Sequence, residues 1–201
     1  MSVPSGFQLV PGALDVAAQQ ALTGLVMAAL ETAPAARYSV PRGAQMSVAM
    51  SGFGALGWVS DTRGYRYSPV HPGTGQPWPA IPPMMLDLWA RLADPDVPPD
   101  ACLINLYRGE ARMGLHQDRD EADFRFPVLS VSLGDTAVFR IGGVTRGGKT
   151  ASVRLASGDV CILGGEARLA FHGVDRTLPG SSTLVPGGGR INLTLRRAAP
   201  A

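Results

Sequence analysis

The chain carries only three histidines, His71, His116 and His172, and one has a carboxylate two residues on, in His116-Gln117-Asp118. On an extended backbone, residues two apart point to the same side. This imidazole and this carboxylate can therefore close on one metal ion. Twelve aspartates among 201 residues make the spacing easy to meet by chance. A second imidazole far downstream, His172, can complete a set of two histidines and one carboxylate. Such a facial set suits non-heme Fe(II) and leaves coordination positions open for a co-substrate and O2. The plainer alternative is that His172 is an ordinary core or loop histidine.

Near the C-terminus, Arg190-Ile191-Asn192-Leu193-Thr194-Leu195-Arg196 alternates in polarity. As a strand it puts Arg190, Asn192, Thr194 and Arg196 on one face and Ile191, Leu193 and Leu195 on the other. If the polar face points into a barrel, two guanidinium groups are buried, and buried charges need partners. A small dicarboxylic acid would supply them, each carboxylate taking a fork of N–H donors. A strand with a solvated polar face is the commoner arrangement. Asn105 and Tyr107 share a face in Leu103-Ile104-Asn105-Leu106-Tyr107. They add neutral hydrogen bonds to the same ligand, or are a cross-strand pair and a partly buried tyrosine.

These groups need elements to hold them. Twenty-five glycines and 17 prolines punctuate the chain often, which favours short strands and turns over long helices. Residues 14–31 predict an amphipathic helix. Residues 83–93 predict a second, opened by Pro82-Pro83. Residues 52–81, rich in Gly, Pro, Trp and Tyr, predict a lid or short hairpins rather than core. Strands are expected at 102–107, 127–133, 136–141, 151–155, 159–163, 168–172 and 190–196. The fold class is mostly β with flanking α, a sandwich or jelly roll braced on one face by the helices that come first.

Composition bounds the rest. At 45% hydrophobic and 17% charged residues the chain can bury a core. No apolar run is long enough to span a bilayer, and the N-terminus lacks a secretory pattern. Two cysteines, Cys102 and Cys161, are too few for a disulfide scaffold or a cysteine zinc site, and their apolar strand contexts suggest buried free thiols. A soluble cytoplasmic protein is expected. The net charge of +2 combines −2 over residues 1–100 with +4 over 101–201, and Lys149 is the only lysine beside 17 arginines. That is weak support for nucleic-acid binding, since strong binders show a dense basic face.

Taken together, Asn105-Leu106-Tyr107, His116-Gln117-Asp118-Arg119-Asp120-Glu121, His172 and Arg190–Arg196 resemble the bacterial AlkB-type Fe(II)/2-oxoglutarate dioxygenases. So do Leu56-Gly57-Trp58, Tyr65-Arg66-Tyr67-Ser68-Pro69, Pro77-Trp78-Pro79 and Ser130–Gly134. The resemblance runs through nearly the whole chain in order and is least diagnostic over the first forty or so residues. It implies one dioxygenase domain over 1–201: an N-terminal extension and helix (1–45), a nucleotide-recognition lid (46–81) and a double-stranded β-helix core (100–198). It implies Fe(II) on His116, Asp118 and His172, and 2-oxoglutarate on Asn105, Tyr107, Arg190, Asn192 and Arg196, with O2 as second co-substrate. Arg196 is implied at the distal carboxylate and Arg190 near the metal-chelating end. Met50, Trp58, Tyr65 and Tyr67 are implied in the lid, with Trp58 stacked on a flipped alkylated base and both tyrosines near the nucleic-acid backbone. Asp120 is implied against the exocyclic amino group or the positive ring, and Arg146 against substrate. Leu163, nine residues before His172, stands where relatives often carry Trp.

The activity implied is oxidative demethylation of 1-methyladenine- and 3-methylcytosine-type bases in DNA, with RNA as a further substrate, releasing formaldehyde and succinate. A monomer that prefers single strands is expected. Without the resemblance, Trp58, Tyr65 and Tyr67 read as a cap on a small hydrophobic cluster. Asp120 then reads as a solvated carboxylate and Arg146 as surface charge on a glycine-rich loop. Trp78 and Trp89 read as structural, and His71 receives no role. Two other functions stay open from sequence: the same chemistry on a small metabolite or protein side chain, and a non-catalytic jelly-roll binding module.

Overall fold

The computed structural model describes residues 2–39, 44–94 and 96–200, so positions 1 and 40–43 of the expected N-terminal stretch lie outside it. Asp15 opens the first helix. Its side chain accepts the Ala18 amide at 2.8 Å, satisfying one of the donors a helix start leaves without a partner. Helix α1 (Val16–Thr32) buries Leu22, Val26 and Ala29 along one stripe. Helix α2 (Pro83–Leu92) follows Pro82, with Pro83 where its missing N–H costs nothing, and buries Met85, Leu88 and Trp89. Both lie within two residues of the expected boundaries.

The strands are β1 (Phe7–Val10), β2 (Ala49–Gly54), β3 (Gly57–Asp61), β4 (Gly64–Ser68), β5 (Ala101–Tyr107), β6 (Met113–His116), β7 (Val128–Gly134), β8 (Ala137–Ile141), β9 (Ala151–Leu155), β10 (Val160–Leu163), β11 (His172–Thr177) and β12 (Arg190–Arg196). An antiparallel six-stranded sheet runs β1-β10-β7-β12-β5-β2, a four-stranded one β6-β11-β8-β9, and β3–β4 form a separate hairpin. The result is the expected jelly roll. Its apolar residues fall into two layers. Ile191, Leu193 and Leu195 of β12 pack with Leu22, Val26, Met85 and Trp89 of the helices. Leu103, Leu163, Phe139, Ile141 and Val174 pack in the second layer, with Tyr107. Thus one face of β12 is the floor of the helical layer, as its alternation requires. Each fully buried Leu there contributes about 1.5–3 kcal/mol relative to exposure.

Three expectations need correction. Residues 168–172 are not a strand. A 3-10 turn at Gly165–Ala167 and the further turn bonds Arg168 N–H to Gly165 O and Ala170 N–H to Ala167 O carry the Arg168 side chain inward. The strand begins only at His172. The expected stretch 46–81 is not one separate unit, because β2 is part of the main sheet, in register with β5 from Ala49↔Leu106 to Gly54↔Ala101. The N-terminal stretch likewise supplies a strand, β1, paired with β10. Only the β3–β4 hairpin stands apart. It is seated at Gly57, where any Cβ would collide with the Trp78 ring, and Trp78 Nε1 donates to Ser68 O at 2.9 Å.

Candidate active site

Strands β6 and β11 pair so that His116 and His172 are directly opposed, with ring centroids 4.5 Å apart. Asp118 follows β6 by two residues. One ligand atom from each of the three lies within 4.8 Å of the others. Each imidazole places Nδ1 at 2.9 Å from a carbonyl oxygen, Gly114 O for His116 and Ala170 O for His172. A carbonyl only accepts, so each Nδ1 carries the proton and each Nε2 presents its lone pair inward, 3.5 and 3.6 Å from the Asp118 oxygens. Fixing the tautomer through the remote nitrogen is how metal-binding histidines are oriented.

Electrostatics favour the ligand forms at two of the three groups. Burial, with the neighbouring His116, pushes His172 down to about 4. Burial alone would raise Asp118, but the Arg196 guanidinium and the two imidazoles hold it well below the usual carboxylate range. At His116 burial opposes the charged form and the Asp118 carboxylate outweighs it, raising the pKa.

The two arginines of β12 sit in different surroundings, reversed from the expected order. Arg196 is at the metal end. Its Nη2 lies 2.8 Å from Asp118 Oδ2, and its Nη1 donates to Tyr67 Oη and Glu121 Oε1, both at 3.1 Å. Arg190 is at the other end of the strand, opposite Tyr107 of β5, and is only 2% exposed. Its Nη2 donates to Ser132 Oγ at 3.1 Å, while Nε and Nη1 have no partner among the described residues. Burial pulls its pKa below the ordinary value. Burial also pushes the nearby Tyr107 phenol up to about 12, so its hydroxyl stays a neutral donor. Between these ends Asn192 donates to Ser130 Oγ and Val131 O and accepts from Asn105 Nδ2 and Thr194 Oγ1, and Asn105 Oδ1 has no partner.

A cavity of about 740 Å³ is lined by all of these groups except Tyr67, Glu121 and the serine beside Arg190. Its chemistry fits a metal and an anionic chelator. Nitrogen and carboxylate ligands of this set suit Fe(II). A guanidinium with two unpartnered nitrogens, Nε and Nη1, is the complement of a carboxylate.

The mouth carries Met50, Trp58, Tyr65, Asp120 and Arg146, together with Phe171. Trp58 is fixed from several sides. Tyr65 stacks on it at 5.2 Å and 28°, Tyr38 meets it edge-on, and its Nε1 donates to Asp120 Oδ2 at 2.7 Å. Arg146 lies over the Phe171 ring at 5.1 Å. Met50 is buried on β2. Tyr67 is half-buried, and its hydroxyl is turned inward, donating to Glu121 Oε1 at 2.5 Å. His71, given no role, accepts the Gly73 and Thr74 amides on Nδ1 and bonds Pro34 O through Nε2, which is turn scaffolding.

Glu121 and Arg168 escaped the sequence reading. Arg168 donates to Phe126 O, Asp118 O and Glu121 Oε2, and both side chains are buried. Glu121 stands in the quoted acidic segment, but its partners come from positions 67, 168 and 196. The only local signal is three carboxylates within four residues, and that does not tell which of them turns inward.

Comparisons agree with this geometry. Residues 6–196 match the 2OG-Fe(II) oxygenase superfamily. The chain is 67% identical over 201 residues to an alpha-ketoglutarate-dependent dioxygenase AlkB homolog of Caulobacter vibrioides, covering all of this chain and 91% of that protein. It is 46% identical over 162 residues to the alpha-ketoglutarate-dependent dioxygenase AlkB of Escherichia coli, covering 79% and 74%. The solved structure of OsALKBH1 superposes with a TM-score of 0.80 at 30% identity, covering 98% of this chain and 99% of that one. Opposed histidines, a carboxylate two residues on, a buried arginine without a counter-charge and these matches lead to one conclusion: the chain belongs to the 2OG-Fe(II) oxygenase superfamily and, within it, to the AlkB-type dioxygenases.

Proposed function

We propose that this protein demethylates N-alkylated bases of the 1-methyladenine and 3-methylcytosine type in DNA, with RNA as a further substrate. The observation that carries the reading is the mouth: an indole hydrogen-bonded to a carboxylate, Trp58 on Asp120, beside the His116–Asp118–His172 cluster. Alkylation at the pairing edge makes the ring cationic. Stacking such a ring on an indole adds about 0.5–2 kcal/mol, and the exposed Asp120 carboxylate adds a salt-screened attraction. A base damaged at its pairing face also costs less to flip out of a helix. The relatives point the same way: human ALKBH1, 40% identical over 80 residues, is named a nucleic acid dioxygenase.

His116, Asp118 and His172 hold Fe(II) in this reading. Arg190 takes the far carboxylate of 2-oxoglutarate, with the Tyr107 hydroxyl as a neutral donor and Asn105 and Asn192 along its length. Arg196 orients Asp118 and caps the near end. Met50 and Tyr65 shape the base pocket, and Arg146 meets substrate at the rim. Bound iron, with 2-oxoglutarate and O2, supplies the oxidation: the co-substrate leaves as succinate and CO2, and the hydroxylated N-methyl group departs as formaldehyde. In this reading a single dioxygenase domain acts as a monomer. A net charge of +2 supports single-stranded substrate, where fewer phosphates must be neutralised, and a nucleic-acid substrate supports a cytoplasmic location.

The test is formaldehyde release from oligonucleotides carrying one 1-methyladenine or 3-methylcytosine, as single-stranded DNA, duplex DNA and RNA, with Fe(II), 2-oxoglutarate and ascorbate. Release from methylated single strands and none from unmethylated controls is expected. Succinate without formaldehyde from any methylated strand would instead point to a small-molecule or protein substrate.

A further inference from the structure

The segment Asp118-Arg119-Asp120-Glu121 places three carboxylates within four residues, and each is tied to something different. Asp118 meets the two imidazoles and Arg196. Asp120 accepts the Trp58 indole N–H. Glu121 accepts from the Tyr67 hydroxyl, from Arg196 and, on its other oxygen, from Arg168. Trp58 and Tyr67 are directly opposed across the β3–β4 hairpin. The hairpin therefore rests on the metal-ligand segment through two neighbouring hydrogen bonds.

We infer that Glu121 is a positioning residue that, through Arg196 and Tyr67, couples the pose of the β3–β4 hairpin to the metal ligand Asp118. Glu121 has no exposed side-chain surface and does not line the cavity, so it touches neither metal nor substrate. Arg196 joins it to Asp118 through a single planar guanidinium, Nη2 on Asp118 and Nη1 on Glu121 and Tyr67. A planar fork transmits rotation: moving the partners on one edge re-aims the other. Arg168 makes the far side unyielding, because the guanidinium that holds Glu121 Oε2 also holds the Asp118 carbonyl and Phe126 O. Among the described residues, the hairpin's other side-chain hydrogen bonds to non-adjacent segments of the chain, Trp78 to Ser68 O and Ser60 to Ser39 O, lead away from the metal. Coupling is reciprocal. Whatever order a metal at Asp118 confers on the hairpin, the Tyr67 tether returns as metal affinity by the same factor. The inference goes beyond the proposed substrate and stands whatever substrate the enzyme takes.

The experiment uses the full chain with Mn(II) and 2-oxoglutarate, which bind without turnover. Amide hydrogen exchange over 57–61 and 64–68 is compared with and without both, alongside the Mn(II) dissociation constant. In the wild type, loading is expected to slow hairpin exchange about fivefold or more. In Tyr67→Phe that slowing disappears and Mn(II) affinity falls by the same factor, while exchange in β5 and β12 is unchanged. Glu121→Gln, which keeps an acceptor for Tyr67 but removes the negative charge facing Arg196, shows the same pair of losses. If it does not fold, Tyr67→Phe decides alone. A purely structural Glu121 predicts lower melting temperatures with metal-dependent protection intact. That result, or loss of protection without the matching loss of affinity, or no protection in the wild type, overturns the inference. None of these readouts involves nucleic acid, so a wrong substrate assignment cannot masquerade as failure here.

Discussion

Arg196 has its terminal nitrogens engaged by Asp118, Glu121 and Tyr67, whereas Arg190 keeps Nε and Nη1 without partners among the described residues. That difference decides which arginine a diacid must meet. Arg190→Met leaves the incoming carboxylate buried and unpaired, at about 3–5 kcal/mol, so the 2-oxoglutarate KM should rise by roughly two to four orders of magnitude. An unchanged KM in a succinate-release assay would place the co-substrate elsewhere. Arg196→Ala acts differently: it strands two buried carboxylates and should weaken metal binding and the fold together. His116→Ala removes a ligand at the partly exposed edge of the cluster. Turnover should vanish while the melting temperature stays within a few degrees, and several per cent residual formaldehyde release would refute its role as ligand.

At the scale of elements, the β6–β11 pair sets the metal geometry, and Gly173 lets the two strands approach. A Cβ at Gly173 would stand 2.5 Å from Met113 O and 2.8 Å from Gly114 O, both backbone atoms of β6 that cannot swing aside. Gly173→Ala should therefore push β6 off β11, separate His116 from His172, and lower Mn(II) affinity at least about tenfold with a destabilisation of about 1–3 kcal/mol. Titration calorimetry and a melt check it, and wild-type affinity would mean the ligands do not depend on this pairing. Legibility followed the same physics. β12 was readable because seven residues alternate in polarity, β5 because an apolar run carries Asn105 and Tyr107 two apart, and the helices because stripe, cap and proline agree. β1 and β6 are four residues long, too short for alternation to stand out. β2 reads Ala-Met-Ser-Gly-Phe-Gly and looks like loop until β5 pairs with it. The ligand set was legible from spacing and residue type. The order of the two arginines was not, because nothing local says which end of β12 faces the metal. The inward turn of Tyr67 was hidden too, since it depends on Glu121 and Arg196 arriving from distant segments.

For the whole molecule, the balance of buried charge is the quantity that matters. Arg168 and Arg196 are matched by Glu121 and Asp118 in one network, while Arg190 is buried without a counter-ion among the described residues. A buried cation without a partner destabilises the ligand-free fold, and a bound diacid relieves that cost. Ligand at a hundred times its dissociation constant stabilises by about 2.7 kcal/mol, and a chain of this size gains about 2–4 °C per kcal/mol. Saturating Mn(II) and 2-oxoglutarate, each at that excess, should thus raise the melting temperature by about 5–10 °C apiece. Arg190→Met separates the contributions. Replacing a lone buried charge by an apolar chain of similar length should leave the ligand-free protein at least as stable as wild type. The increment from Mn(II) alone should survive, and the further increment from 2-oxoglutarate should be lost. A ligand-free variant that melts more than about 5 °C below wild type would mean that Arg190 is already satisfied inside the fold. Its two unpartnered nitrogens would then have to be explained without a diacid.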